Sequence, residues 1–210
     1  MRYTVFGATG GVGREIVTQA LAAGHEVTAV VRDPSRFTVT DPGLTVFTAD
    51  GLQPEALRSA VAGRDAVLSG LGARSRADAG IATTLTRSVL AAMETEGTRR
   101  LVVVSASPLG GPPEGAGLVD RATTRVVSAV FKDIYRDLRA MEEALAHSAT
   151  DWTAVRPPML LDKPLTGVYR TAIGSNPRAA RTIGRADVAH AMLAQVSRGE
   201  TVGRTVGVAY

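Results

Sequence analysis

Short runs of Val, Leu, Ile and Phe return at intervals along this chain, and a stretch with helical spacing separates most neighbouring runs. The strand-like runs are Tyr3–Phe6, Glu26–Arg32, Gly43–Asp50, Asp65–Gly72, Arg99–Ser107 and Asp151–Pro157. Helices are expected over Val12–Ala23, Pro54–Gly63, Ala77–Glu96 and Asp133–His147. A short strand follows in "GVYRTA", a helix in "GRADVAHAMLAQVSRG", and "RTVGVA" closes the chain; "LGGPPEGAG" reads as a loop. Continuous apolar strands alternating with helices predict an α/β fold, a doubly wound parallel sheet covered on both faces. No repeat or low-complexity segment divides the 210 residues, so one domain is expected. In such a sheet ligands bind beyond the carboxyl ends of the strands. The turns that matter are then Gly7–Gly13, Arg32–Arg36, Asp50, Gly72, Ser105–Ser107 and Pro157–Leu160.

The first of these turns carries the strongest chemical signal. In "YTVFGATGGVGREIV" the residues Gly7, Gly10 and Gly13 are spaced G-x-x-G-x-x-G between a strand and a helix. Glycine lets the backbone turn sharply and approach an anion with no Cβ in the way. The helix start offers open N–H groups and a positive dipole end, which suits a pyrophosphate.

The end of the second strand bears on which dinucleotide is held. It reads "VVRDPSRF", with Arg32 at the tip and Arg36 on the next turn. Two guanidinium forks suit a ribose 2′-phosphate, and Ser35 adds a hydroxyl. Asp33 is free to pair with either arginine or to serve a 2′-hydroxyl instead. The expected cofactor is NADPH, ahead of NADH.

Composition narrows the remaining classes. There is no cysteine, hence no disulfide framework and no thiolate metal site. The start "MRYTVFGATG" runs straight into the first strand and no apolar run has the length of a membrane span. A soluble, cytoplasmic protein is expected, a monomer or small homo-oligomer. The net charge of +4 comes almost wholly from arginine, with lysine only at Lys132 and Lys163. Arg121, Arg125, Lys132, Arg136 and Arg139 cluster in sequence, but no aromatics interleave for base stacking, so no nucleic-acid partner is expected.

The stretches "FGATGGVG", "VRDPSRF", "AVAGRDAVLSGLG", "RPPMLLDKPLTGVY" and "GRADVAHAML" carry a resemblance over most of the chain. The sequence resembles the atypical short-chain dehydrogenase/reductase group of NAD(P)H-binding proteins, and within it the biliverdin-IX-beta reductase and NADPH-dependent flavin reductase family. This implies a Rossmann-like domain with a small substrate-side region at about 157–184. It implies a pyrophosphate loop at Gly7, Thr9, Gly10, Gly11, Val12 and Gly13, and a 2′-phosphate clamp at Arg32, Ser35 and Arg36. It also implies adenine neighbours at Asp50 and Gly51, a cofactor-facing loop at Gly72, Ala73 and Arg74, and a nicotinamide-side segment at Pro157, Pro158 and Met159.

The catalytic end departs from that family. A flavin-reducing relative has histidine where this chain has Met159 and serine near Ala106, with Ser105 and Ser107 on either side of that position here. A flavin acceptor needs mainly two rings held face to face, with solvent supplying the proton, and a thioether packs well against a flat ring. A carbonyl acceptor needs an acid. Tyr135 with Arg139 at i+4 offers one, if the guanidinium lowers the phenol's pKa; Ser105 or Ser107 would then hold the carbonyl oxygen.

Other tempting residues read as structural. Arg156 is expected to pair with Glu142 or Glu143, and Trp152 to pack in the core. His25, His147 and His190 lack partners at metal spacing, so no metal site is expected. The functions left open are a reductase of a flavin, quinone or other flat acceptor, a carbonyl reductase using Tyr135, and a non-catalytic NADP-binding regulator.

Overall fold

The computed structural model describes residues 1–50, 52–72, 80–110, 117 and 131–210. The strands are β1 (Arg2–Phe6), β2 (Glu26–Val31), β3 (Leu44–Thr48), β4 (Ala66–Ser69), β5 (Arg100–Val104), β6 (Asp151–Arg156), β7 (Met159–Leu161), β8 (Arg170–Ile173), β9 (Thr182–Gly184) and β10 (Arg204–Ala209). The helices are α1 (Gly11–Ala22), α2 (Pro54–Val61), α3 (Ile81–Glu96), α4 (Lys132–Ala146) and α5 (Arg185–Gln195). Each predicted strand is present: β1 starts one residue early, β10 matches its expected bounds, and β2 to β6 are trimmed by one to three residues at their ends. The expected helix start at Ala77 lies outside the described residues, as does most of the expected loop. The beginning of that loop is a 3-10 turn, Ser107–Gly110.

Eight strands form one sheet in the order β3-β2-β1-β4-β5-β6-β10-β8. All neighbours run parallel except β8, which pairs antiparallel with β10. The order reverses between β1 and β4, which opens a crevice at that point. Two-residue alternation splits the core into two layers. Val5, Leu68, Val102 and Val104 face α1 and α5. Phe6, Val67, Leu101 and Val103 face α2, α3 and α4. Trp152 is half-buried against the second layer.

Sequence reading gave no strand at 159–161 or 182–184. The parallel pair β7–β9 has three residues a side, too short for an alternation to be read. The pair ties the end of β6 to the start of α5. The predicted strand in "GVYRTA" forms only from Arg170 on, because Thr166 and Gly167 are turned aside to Asp187.

Candidate active site

The site begins where β1 and β4 stop. Gly7 turns with φ +71°, and a Cβ there would lie 2.8 Å from the carbonyl carbon of Gly70. A Cβ on Gly13 would lie 2.1 Å from the Gly7 carbonyl oxygen, and one on Gly70 2.8 Å from the Gly13 nitrogen. Three backbones therefore touch at the switch point, and any side chain would drive them apart. Gly70 escaped the sequence reading, which chose Gly72. A Cβ on Gly72 would meet no atom of the described residues within 4 Å, so their packing does not require glycine there. The tell was the pair "SGLG": the glycine nearer the strand is the one in contact.

The Gly10 N–H donates to the Gly7 carbonyl at 2.8 Å, closing the turn, and Gly10 then caps α1 with no side chain. The Arg14 N–H is the first to bond back, to Gly10 at 2.9 Å. Helix geometry leaves the N–H groups of Gly11, Val12 and Gly13 facing the open end, the arrangement that receives a phosphate. Val12 also buries its side chain, anchoring this first turn to the sheet. The turn has no acidic residue to compete for the dipole.

At the β2 tip Arg32 and Arg36 are both exposed, and neither makes an ion pair among the described residues. Asp33 pairs with neither. Its Oδ1 accepts from the Ser35 hydroxyl at 2.6 Å and the Ser35 N–H at 3.0 Å, capping the 3-10 turn Pro34–Arg36. Those bonds, first from the hydroxyl and then from the N–H, hold the Asp33 carboxyl below its usual pKa. The Ser35 proton is thus given to Asp33 and not held out for a phosphate. Asp50 accepts from the Leu52 N–H at 2.9 Å in an Asx turn, which fixes the chain ahead of α2. Gly51, Ala73 and Arg74 lie outside the described residues.

On the other side of the crevice, the ladder between β5 and β6 runs on past both strands. The Ser105 N–H donates to Val155 at 2.7 Å and the Ser107 N–H to Pro157 at 2.9 Å. The Ser105 side chain is buried, and its hydroxyl donates to Glu142 Oε1 at 2.6 Å. Glu142 is also gripped by the fork of Arg156, at 2.9 and 2.5 Å, as the sequence reading expected. The pair is nearly sealed, with side chains 13% and 12% exposed. Ser105 therefore serves this buried network and does not present its hydroxyl to the crevice. The Ser107 carbonyl accepts from Asn176 Nδ2 at 2.8 Å, which binds the stretch before β9 to the β5 tip.

Tyr135 is half-buried on α4, beside the α3-side core and edge-on to Phe131. Burial pushes its phenol above the usual range. The expected lowering by Arg139 does not occur, because that side chain points into solvent, where its charge is screened. Lys132 and Arg136 are exposed on the same helix, with Arg136 paired to Asp133; Arg121 and Arg125 lie outside the described residues.

Pro157 is buried and Pro158 half-buried, so they bring the chain out of β6 on a fixed course. Met159 then stands 63% exposed at the start of β7, with exposed Leu165 and Val168 farther along the same segment. Asp187, in the first turn of α5, holds this segment down. Its buried carboxylate accepts from the N–H groups of Thr166 and Gly167 at 3.0 and 2.8 Å. It also accepts from the Thr166 hydroxyl at 2.9 Å and the Tyr210 hydroxyl at 2.7 Å. Burial pushes this carboxyl up; the bonds from Tyr210, Gly167 and Thr166 outweigh it and hold the pKa below its usual value. Sequence reading missed Asp187; an acid among apolar residues in "GRADVAHAML" was the available signal. His190 accepts or donates at Nδ1 with the Tyr169 hydroxyl, 2.7 Å away.

A glycine turn at a helix start, at the switch point of a parallel sheet, is the geometry of a dinucleotide site. A family model described as NAD(P)H-binding matches residues 7–198. The chain belongs to this NAD(P)H-binding family. Over 155 residues it is 34% identical to a 3-diazoavenalumate denitrifying reductase from a Streptomyces species, covering 68% of this chain and 50% of that protein. The chain thus spans about half the length of that curated relative. Among solved structures it resembles the anaerobillin reductase ChuY of Escherichia coli O157:H7, at 24% identity and a TM-score of 0.80, covering 100% of this chain and 97% of that one. It also resembles a short-chain dehydrogenase/reductase from Veillonella parvula solved with NADP, at 19% identity and a TM-score of 0.80, covering 100% and 94%. These two likenesses establish the fold. Among the described residues, no helix is long and apolar enough to cross a membrane.

Proposed function

We propose that this chain is an NADPH-dependent reductase whose acceptor is a flat conjugated molecule, a flavin or quinone in the first instance. The observation that carries the reading is the exposed thioether of Met159 where the chain leaves β6, on a segment whose neighbouring hydroxyl, Ser105, is turned away into Glu142. An apolar shelf beside which Ser105 presents no proton suits an acceptor that takes its proton from solvent. When bound, NADPH supplies the hydride. The protein's part is placement: the first turn of α1 receives the pyrophosphate, Arg32 and Arg36 receive the 2′-phosphate, and Met159 packs against the acceptor ring. Among the described residues neither arginine makes an ion pair that a phosphate would have to break, which supports NADPH over NADH. The names of the Streptomyces relative and of ChuY widen the acceptor class to diazo compounds and bilins.

The test is NADPH oxidation against flavins, quinones, linear tetrapyrroles, 3-diazoavenalumate and simple carbonyls. Turnover with one or more conjugated acceptors and none with the carbonyls is expected. Tight NADPH binding with no oxidation by any of them would replace the reductase by a regulator.

A further inference from the structure

Beside the glycine turn, at the start of α1, lies a cavity of about 420 Å³. Thr9, Gly10 and Gly11 form one wall; Arg14, Lys163 and Arg185 bring three cations to it against the two carboxylates of Glu15 and Asp162. Arg185 is the first residue of α5, and its stem runs across Gly11. A Cβ at position 11 would lie 2.5 Å from the Arg185 Cδ and 2.8 Å from its Nε. Glycine at 11 is therefore what lets the guanidinium lie over the open end of α1. There its Nη1 donates to Asp162 Oδ1 at 2.6 Å, but the Asp162 side chain is 91% exposed. A pair with so wet a partner is worth little and is readily exchanged. A pyrophosphate is a better partner, with more charge and with oxygens that match the guanidinium fork. Of the other two cations, Lys163 sits over the Tyr210 ring, 5.5 Å from its centre, and Arg14 is exposed on the first turn of α1.

We propose that Arg185 is a clamp on the cofactor's pyrophosphate, exchanged from Asp162 onto the phosphates on binding. The inference rests on the cofactor reading above, and it differs from the Arg32–Arg36 pair in what it reads. The pyrophosphate is common to both dinucleotides, so Arg185 must act on NADPH and NADH alike. Asp162 is then a competitor, and removing its charge should help.

The experiment is calorimetric titration of NADPH, NADH and ADP-ribose into the full chain and two variants. Arg185→Met keeps the stem over Gly11 and removes the charge; it should weaken all three ligands by a similar factor, about tenfold. Asp162→Asn should tighten all three, by roughly two- to threefold. A melting temperature of Arg185→Met within about 2 °C of the parent is expected, since the lost pair is a surface one. The clamp is overturned if Arg185→Met binds as the parent does, if it loses NADPH alone, or if Asp162→Asn weakens binding. A parent protein that binds none of the three would remove the cofactor reading and the clamp together. Normal binding by both parent and Arg185→Met removes only the clamp.

Discussion

At the tips of β1 and β4 backbone meets backbone, with Gly7, Gly13 and Gly70 in mutual contact and no side chain among them. At the tips of β5 and β6 the same sheet edge is held by side-chain networks: Ser105, Glu142 and Arg156 in one, Asp187 with Thr166 and Tyr210 in another. The first region is fixed by what is absent, and a local motif describes it fully. The second is fixed by partners 14 to 37 residues apart, and its specificity lies in which pairs form. A cofactor common to a family suits the first kind of site. An acceptor that differs between relatives suits the second, where an exposed residue such as Met159 can change without loosening the frame.

The largest effect should come from breaking the backbone contact. Gly13→Ala places a methyl 2.1 Å from the Gly7 carbonyl oxygen, which cannot move without opening the turn. A loss of about 3 kcal/mol is expected, the upper part of the overpacking range, or a melting temperature lower by roughly 6–12 °C. Gly72→Ala, facing open space, should melt like the parent. Equal losses in the two variants would show that the contact at the switch point is not what makes this region rigid.

Next comes the side-chain frame. Asp187→Asn can no longer accept from all four donors, and about 2 kcal/mol should be lost, within the range for leaving buried donors unsatisfied. The loss should depend on pH. Asp187 is held below its ordinary pKa in the fold, so its contribution is complete above the unfolded-state value near ~3.9. It is lost as pH falls through the lower folded-state value, because the unfolded chain binds the extra proton first. Denaturant melts at neutral and at acid pH should therefore show the gap between parent and variant closing on acidification. A gap that stays constant would mean that the carboxylate's charge contributes nothing.

The cofactor prediction is of similar size. Replacing Arg32 and Arg36 together with alanine should cost NADPH at least about tenfold in affinity, or 1.4 kcal/mol, and leave NADH nearly unchanged. Parallel losses for both would assign the arginines a general electrostatic role. The smallest effect is expected at the acceptor. Met159→Ala should raise the acceptor's KM roughly fivefold, about 1 kcal/mol for partial burial of a methionine, with kcat little changed. A collapsed kcat at constant KM would contradict a packing role.

The contrast between the two regions also explains what could be read from sequence. The sheet was legible because its strands are buried on both faces and so appear as unbroken Val and Leu runs. The glycine turn was legible because its chemistry is local. Pairing across the fold was not. Arg156 called for an acid and Glu142 was a candidate, but nothing in "VVSAS" shows that Ser105 turns to the same carboxylate. Asp33 gave the same lesson at short range, since it chose Ser35 over both arginines. Tyr135 and Arg139 share a helix spacing, yet burial of the one and solvation of the other decide the phenol's pKa. The β7–β9 pair was hidden by its length alone.

In the proposed reaction the acceptor receives hydride without an acid from the protein. This is tested most directly by comparing the anaerobic single-turnover rate of flavin reduction by NADPH in the parent and in Tyr135→Phe. That substitution keeps the ring in the core and removes only the phenolic hydroxyl. Equal rates are expected, with hydride transfer slowed in both when the transferred hydrogen of NADPH is deuterium. A fall of about a hundredfold in the Phe variant, the scale of a lost general acid, would contradict it and make Tyr135 the proton donor.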